Sequence, residues 1–309
     1  MKLYSPIKRE RDKSRRSMKY IKLNNGMVIS KICYGPGVFF RTFEERKICL
    51  SDYKKNNRKE LMKFRTLSNV MKSHNRVLID TSSAYGKAHI NIGNIQMENK
   101  TICTKLSARE QIIYGSNIRK AYYNAICQLK IDKADLYLMH WPVEKNYLDV
   151  WKQMEEMYEQ GIVGGIGVCN CSARQLDKLV SIAKINPVVN QIECHPLFTR
   201  EEERKICAEN GIAVMSYTPL AREDDRIINN KRLNLFAKKN NKTVSQIILR
   251  WHIENNLIPV VSTSSIAHFQ ENIDVFDFEL TEREVKYIDS LNLNSRLRYD
   301  SEKCDFVNL

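Results

Sequence analysis

The stretch VLIDTSSAYG, residues 77–86, passes from an apolar run directly into an aspartate and has a tyrosine five positions later. A short run of aliphatic residues without polar alternation is typical of a parallel strand that is covered on both faces. Asp80 would then lie where a buried strand ends, and Tyr85 in the loop that follows. The pattern predicts a parallel sheet whose strand ends carry ionisable side chains.

Seven further runs of this kind recur and alternate with stretches of helical spacing. The runs are ISKICYG (29–35), ICTKL (102–106), ADLYLMHW (134–141), GGIGVCN (164–170), VVNQIECH (188–195), IAVMSYT (212–218) and IPVVSTS (258–264). The clearest predicted helices lie within residues 116–131, 149–161, 172–185, 199–211 and 243–256. Ser172 is a typical N-cap residue and Gly161 a typical helix stop.

Eight strands alternating with about eight helices predict a fold of the α/β class, a single (β/α)8 TIM barrel over residues 18–309. The segment YIKLNNGMVIS (20–30) predicts a hairpin that turns at Asn25-Gly26 and closes the bottom of the barrel. An open doubly wound sheet is the alternative. It is less favoured because Gly35-Pro36-Gly37, rather than a GxGxxG loop, follows the first strand.

The composition favours a soluble, cytoplasmic protein. The chain of 309 residues is 43% hydrophobic, yet it has no run of about eighteen apolar residues and no apolar signal segment at its start. Its nine cysteines include no CxxC pair, which favours reduced thiols over disulfides or a structural zinc site. No membrane partner is expected.

Nearly half of the net charge of +14 lies at the start of the chain. Residues 1–20 hold eight Lys/Arg against two acidic residues, so residues 1–17 are predicted to form a basic, flexible tail. A solubilising arm is the favoured interpretation, and an electrostatic anchor to RNA or an anionic surface is the alternative. No nucleic-acid-binding motif is present, so no nucleic-acid partner is expected.

Four polar residues at neighbouring strand ends suit one reaction: Asp80, Tyr85, Lys105 and His140. A phenol is a weak acid at neutral pH, so a nearby ammonium must lower its pKa, and a carboxylate must keep that ammonium charged. A neutral histidine could orient a substrate oxygen. The set offers no metal cage, so no metal is predicted. It suits proton donation during carbonyl reduction by a cofactor hydride, although each residue alone could be structural.

At these positions the chain resembles the aldo-keto reductases, over about residues 20–308. The resemblance rests on DTSSAYG, TKL and DLYLMHWP, followed in the family's order by GIGVCN, VVNQIECHP, VMSYTPL, SQIILRW, NIDVFDFEL and LNLNSRLRYD. It implies NAD(P)H-dependent reduction of an aldehyde or ketone to an alcohol. Tyr85 would be the proton donor, Asp80 and Lys105 its activators, and His140 the residue that orients the carbonyl.

The resemblance also implies a bound NADP(H), with Asn170 and Gln191 at the carboxamide and Tyr217 stacked on the nicotinamide ring. The other implied positions are Leu220 at the pyrophosphate, Ser262, Thr263 and His268 at the 2′-phosphate, Glu271 and Asn272 at the adenine, and Trp141 at the substrate.

Three departures from the family pattern bear on function. Cys169 stands where a serine usually precedes Asn170, and a thiol is a weak hydrogen-bond partner. Ser262, Thr263 and His268 stand where the family has cations and a serine for the 2′-phosphate, so NAD(H) is possible. The segment between Gly37 and Asp80 is longer than usual and predicts a polar helix and a charged loop. A cofactor-sensing regulatory or scaffold protein on the same barrel is the alternative function.

Overall fold

A computed structural model describes residues 18–37, 50–74, 76–95 and 101–304 of the chain. The predicted basic tail, residues 1–17, lies outside the described residues, as does the part of the long segment at residues 38–49.

Eight parallel strands form a closed barrel behind an antiparallel N-terminal hairpin. The hairpin strands are β1 (Tyr20–Lys22) and β2 (Val28–Ser30), and the barrel strands are β3 (Cys33–Tyr34), β4 (Ile79–Asp80), β5 (Ile102–Leu106), β6 (Leu136–Met139), β7 (Ile166–Cys169), β8 (Val189–Glu193), β9 (Ala213–Tyr217) and β10 (Leu257–Val261). Consecutive barrel strands are neighbours, and β10 pairs with β3 to close the ring. The TIM barrel is confirmed, and the doubly wound alternative is wrong.

Twelve α-helices are found in the described residues. They are α1 (Leu50–Ser73), α2 (Ala88–Gly93), α3 (Ala108–Tyr114), α4 (Arg119–Leu129), α5 (Tyr147–Glu159), α6 (Ala173–Ile182), α7 (Glu201–Glu209), α8 (Asp225–Ile228), α9 (Lys231–Asn240), α10 (Val244–Glu254), α11 (Ile266–Ile273) and α12 (Glu282–Asp289). Ser172 caps α6 in a capping box with Gln175, as predicted. Gly161 follows the end of α5 with φ +70°, a conformation that glycine adopts without strain.

The polar helix predicted in the long segment is α1, which runs for 24 residues. Its second half is a normal barrel helix, because Leu67, Val70 and Met71 are buried against the β4 side of the barrel with Ile79. The extra length therefore lies before this buried half.

The hairpin lies at the amino end of the barrel, where the parallel strands begin. Asn24 Nδ2 donates to the Pro187 carbonyl over 3.1 Å, and Asn25 Nδ2 donates to the Gly164 carbonyl over 3.2 Å. Both acceptors precede barrel strands, so the hairpin covers the bottom as predicted. Beside it is a cleft of about 600 Å³, the amino-end cleft, lined by hairpin residues, α7 and the starts of β9 and β10.

Two apolar layers hold the strands in place. Inside the barrel, aliphatic side chains such as Leu136, Leu138 and Met215 pack with buried cysteine thiols, and outside it Trp151 and Trp251 are fully buried under the helices. Apolar burial of this extent is the main stabilising term of folding. The filled interior leaves the strand ends as the place for polar side chains. None of the described helices is both long and apolar enough to cross a membrane.

Candidate active site

A buried ion pair lies at the carboxyl end of the barrel. Asp80 ends β4, and its strand neighbour β5 carries Lys105, whose Nζ donates to both carboxylate oxygens over 2.7 Å and to the Thr81 carbonyl over 3.0 Å. Asp80 is 4% exposed and Lys105 1%. Burial acts to lower the pKa of Lys105, but Asp80 and neighbouring groups hold it above its ordinary value. Lys105 is therefore charged at neutral pH.

The Tyr85 ring lies directly beside this pair. Lys105 Nζ is 5.2 Å from the ring centroid, so its positive charge acts on the phenol. Burial raises the pKa of Tyr85, and the Lys105 ammonium lowers it only part of the way back. The pKa is thus raised overall, and the fall predicted from the sequence is wrong. The phenol remains protonated at neutral pH and can donate to any oxygen that is more basic.

The His140 ring meets Tyr85 edge to face, with 5.6 Å between ring centroids. His140 follows β6, and its Nδ1 lies 3.2 Å from Ser82 Oγ. Burial, then the charges of Lys105 and Arg298, hold the pKa of His140 well below its ordinary value. The imidazole is therefore neutral, as the sequence argument expects. Asp80, Tyr85, Lys105 and His140 are brought together at one end of the barrel.

A chain of hydrogen bonds extends this group across the next three strands. Gln191 Nε2 donates to Asp80 Oδ1 over 2.7 Å, and the Cys169 thiol lies 4.0 Å from Gln191 Oε1. The Tyr217 hydroxyl donates to Asn170 Oδ1 over 2.7 Å, and Asn170 Nδ2 donates to the His140 carbonyl over 3.0 Å. Burial raises the pKa of the Cys169 thiol, which is therefore neutral.

The other predicted cofactor positions form a second group around β10 and α11. The Thr263 carbonyl accepts the Tyr34 hydroxyl over 2.6 Å, while Ser262 and His268 are exposed. Glu271 accepts a hydrogen bond from the Thr243 hydroxyl over 2.7 Å, and Asn272 is buried. No hydrogen bond among the described residues joins this group directly to Asp80 or Tyr85.

Two predicted positions lie at the edges of these groups. Trp141 follows His140, with 6.2 Å between their ring centroids, and its carbonyl accepts the Gln111 side chain. Leu220 lies in the loop after β9, partly buried against the core.

Sequence reasoning missed the residue that touches His140 and the anchor of the C-terminal segment. The first is Ser82, for which the sequence has no signal beyond its place after Asp80.

The second is Glu193, buried at the end of β8. It accepts the backbone N–H groups of Leu297 and Arg298 over 2.6 and 3.0 Å, and His195 Nε2 lies 3.1 Å from it. Burial acts to raise the pKa of Glu193, but these hydrogen bonds lower it below its ordinary value. An ionised carboxylate thus holds residues 297–298 over the strand ends.

A family model described as "Aldo/keto reductase family" matches residues 50–293. In Escherichia coli (strain K12), methylglyoxal reductase DkgA is 34% identical over 233 residues, which cover 73% of this chain and 83% of that protein. In Trypanosoma cruzi (strain CL Brener), 9,11-endoperoxide prostaglandin H2 reductase is 39% identical over 175 residues. That alignment and those with two Bacillus subtilis relatives span 62–66% of the relatives' own lengths.

Solved structures resemble this chain over most of its length. A crystal structure of a Bombyx mori aldo-keto reductase in complex with NADP superposes with a TM-score of 0.78 at 28% identity, covering 92% of this chain and 96% of that one.

Proposed function

Because the chain belongs to the aldo/keto reductase family of NAD(P)H-dependent oxidoreductases, we propose that it reduces an aldehyde or ketone to an alcohol, with Tyr85 as the proton donor. The observation that carries the proposal is the buried Asp80–Lys105 pair against the Tyr85 ring. A buried charge pair is costly to desolvate, and this one lies directly beside the Tyr85 phenol. Perturbed groups of this kind gather at functional sites.

The residues present fit a nicotinamide at this end of the barrel. Among the described residues, the hydrogen-bond donor to Gln191 Oε1 is the Cys169 thiol, a weak donor at 4.0 Å, so this oxygen keeps a lone pair for an amide N–H. Asn170 keeps a second N–H, and Tyr217 offers a half-buried ring face. We propose that these three residues hold the carboxamide and the ring. When bound, the cofactor supplies the hydride, because no side chain donates one.

The chain's own side chains perform the remaining tasks. His140, kept neutral, donates a hydrogen bond that orients the carbonyl oxygen next to Tyr85. The protonated phenol then gives its proton to that oxygen as it becomes an alkoxide, which is far more basic than a phenolate. The Lys105 ammonium stabilises the phenolate that remains, and Asp80 keeps the ammonium in place.

We further propose that the protein works in the cytoplasm, consistent with its described cysteines, all free thiols.

The experiment that tests the proposal follows the loss of nicotinamide absorbance with small aldehydes, with NADPH and NADH titrated in parallel. We expect turnover with NADPH. The KM for NADH should be close to that for NADPH, because Ser262, Thr263 and His268 supply no strong cation for a 2′-phosphate. Tyr85→Phe should lower kcat by at least about a hundredfold while the Kd of the cofactor stays within about twofold. Tyr123→Phe, at an exposed tyrosine of α4, is the matched control and should keep full activity.

Turnover that survives in Tyr85→Phe would exclude this residue as the proton donor. Cofactor binding without turnover of any carbonyl would instead favour the regulatory or scaffold alternative.

A further inference from the structure

Ser82 is a fully buried serine whose hydroxyl faces the His140 ring. Its Oγ lies 3.2 Å from Nδ1 of His140 and also 3.2 Å from the backbone nitrogen of Ala84. The Ala84 N–H can only donate, so it occupies a lone pair of the serine oxygen. The hydroxyl hydrogen is then left to find an acceptor.

The acceptor available to that hydrogen among the described residues is Nδ1 of His140. If Nδ1 instead carried the proton, two donors would face one oxygen and the serine O–H would be buried without a partner. Such an unsatisfied group is costly. A neutral imidazole has one N–H. With Nδ1 accepting from Ser82, that N–H must be on Nε2, at the opposite edge of the ring.

We propose that Ser82 is a positioning residue that fixes the tautomer of His140, keeping its hydrogen on Nε2 as the donor to the substrate carbonyl. The inference rests on the proposed function and adds a residue to it. The hydrogen-bond partners of the Ser82 hydroxyl are His140 and the Ala84 backbone, not the Asp80–Lys105 pair or the Tyr85 phenol. The hydroxyl therefore acts through His140.

The same serine couples the loop to the histidine. The Ser82 carbonyl accepts the Tyr85 backbone N–H over 3.0 Å. The turn that carries Tyr85, the proposed proton donor, therefore begins at the same residue that hydrogen-bonds His140. Ser82 thus helps to fix the position of Tyr85 relative to His140, the two residues proposed to contact the substrate oxygen.

The direct test is long-range ¹H–¹⁵N correlation NMR of the full-length protein labelled with ¹⁵N-histidine, because protonated and unprotonated ring nitrogens differ widely in ¹⁵N shift. The His140 signals are assigned by their absence in His140→Asn. We expect wild-type His140 to show a protonated Nε2 and an unprotonated Nδ1 across neutral pH. In Ser82→Ala the Nδ1 shift should move toward the protonated position as the second tautomer becomes populated.

The kinetic counterpart is a loss of about fivefold to tenfold in kcat/KM for Ser82→Ala, the size expected for one neutral hydrogen bond, with cofactor Kd unchanged. Ser82→Thr, which keeps the hydroxyl, should restore the wild-type histidine signals. Ser30→Ala is the matched control. Ser30 is equally buried and its Oγ also accepts a backbone N–H, from Leu78 over 3.0 Å, at the hairpin end of the barrel. It should leave both the His140 signals and kcat/KM unchanged.

A protonated Nδ1 in the wild-type protein would overturn the inference, and that spectrum requires no folded Ser82 variant. So would an unchanged His140 spectrum in Ser82→Ala. A wild-type protein that shows the single tautomer, loses it in Ser82→Ala and yet reduces no carbonyl would contradict the proposed function alone.

Discussion

The two ends of the barrel differ in how far their charged side chains are removed from water. At the amino end, the cleft of about 600 Å³ is lined by charged side chains such as Lys22, Glu201 and Lys205, all exposed to solvent. At the carboxyl end, Lys105 and Asp80 form an ion pair whose side chains are 0% and 6% exposed. The amino-end cleft therefore has ordinary solvated charges, whereas the carboxyl end has charges removed from water.

Buried charge is the better guide to function in this molecule. Solvated surface charges cost little and stabilise little, so the amino-end cleft requires no functional explanation. Replacing a buried ion pair by apolar residues often costs little stability, so the fold alone does not require a lysine and an aspartate here. Their position beside a tyrosine and a neutral histidine is what distinguishes the carboxyl end.

The largest predicted effect is a difference in stability between two Asp→Asn variants, one at each end of the barrel. Asp80→Asn leaves the Lys105 ammonium buried without a countercharge, so we expect the free energy of unfolding to fall on the order of 3–5 kcal/mol. Asp289→Asn, beside the amino-end cleft, keeps the oxygen that accepts the Trp251 N–H and should cost less than about 0.5 kcal/mol. Urea unfolding of both variants measures the difference.

The double variant Asp80→Asn/Lys105→Met sharpens this comparison. Without either charge, most of the lost stability should return, because no buried charge is left without a partner. Activity should not return. Equal, small losses for Asp80→Asn and Asp289→Asn would show that the ion pair is not effectively desolvated.

A smaller loss of stability is expected in acid, because the carboxyl end also buries a neutral histidine, His89. His89 hydrogen-bonds Thr104, next to Lys105, and burial and then the Lys105 charge lower its pKa from 6.5 to about 4. The unfolded chain takes up this proton as the pH falls below 6.5, whereas the folded chain does so only near pH 4. Stability present above pH 6.5 is therefore lost over this window, by about 2–3 kcal/mol from His89.

Urea unfolding at pH 8 and at about pH 4.5 measures that loss. His89→Gln, which keeps a partner for Thr104, should reduce the difference between the two pH values by the same amount. An unaltered difference would mean that His89 already gains its proton in the folded state.

The strand ends were predictable because each belongs to a short run that can be recognised alone. Asp80, Lys105 and His140 each follow or end such a run, and parallel strands bring those ends to one side of a barrel. The fold followed from the number of runs and from the helices between them. These inferences need only local periodicity and a general rule of topology.

The contacts that tune the site depend on pairs distant in sequence and on side-chain direction, which periodicity does not encode. Gln191 is 111 residues from the Asp80 it bonds, and Glu193 lies 104 residues before Leu297. The raised pKa of Tyr85 depends on how deeply the ring is buried. A pattern of residue types identifies Lys105 as a neighbour but does not measure that depth.

Apart from the control variants, the smallest expected loss of stability belongs to the amino end, where the hairpin is held by neutral hydrogen bonds. Asn25 Nδ2 donates to the Gly164 carbonyl over 3.2 Å, and Asn25 Oδ1 accepts the Met27 N–H over 3.1 Å. Asn25→Ala removes both bonds and should lower the free energy of unfolding by about 1 kcal/mol, with kcat and KM for a carbonyl substrate within about twofold of wild type. If kcat fell by tenfold while stability changed this little, the two ends would be coupled, and the hairpin would influence the site through the barrel rather than only cover its base.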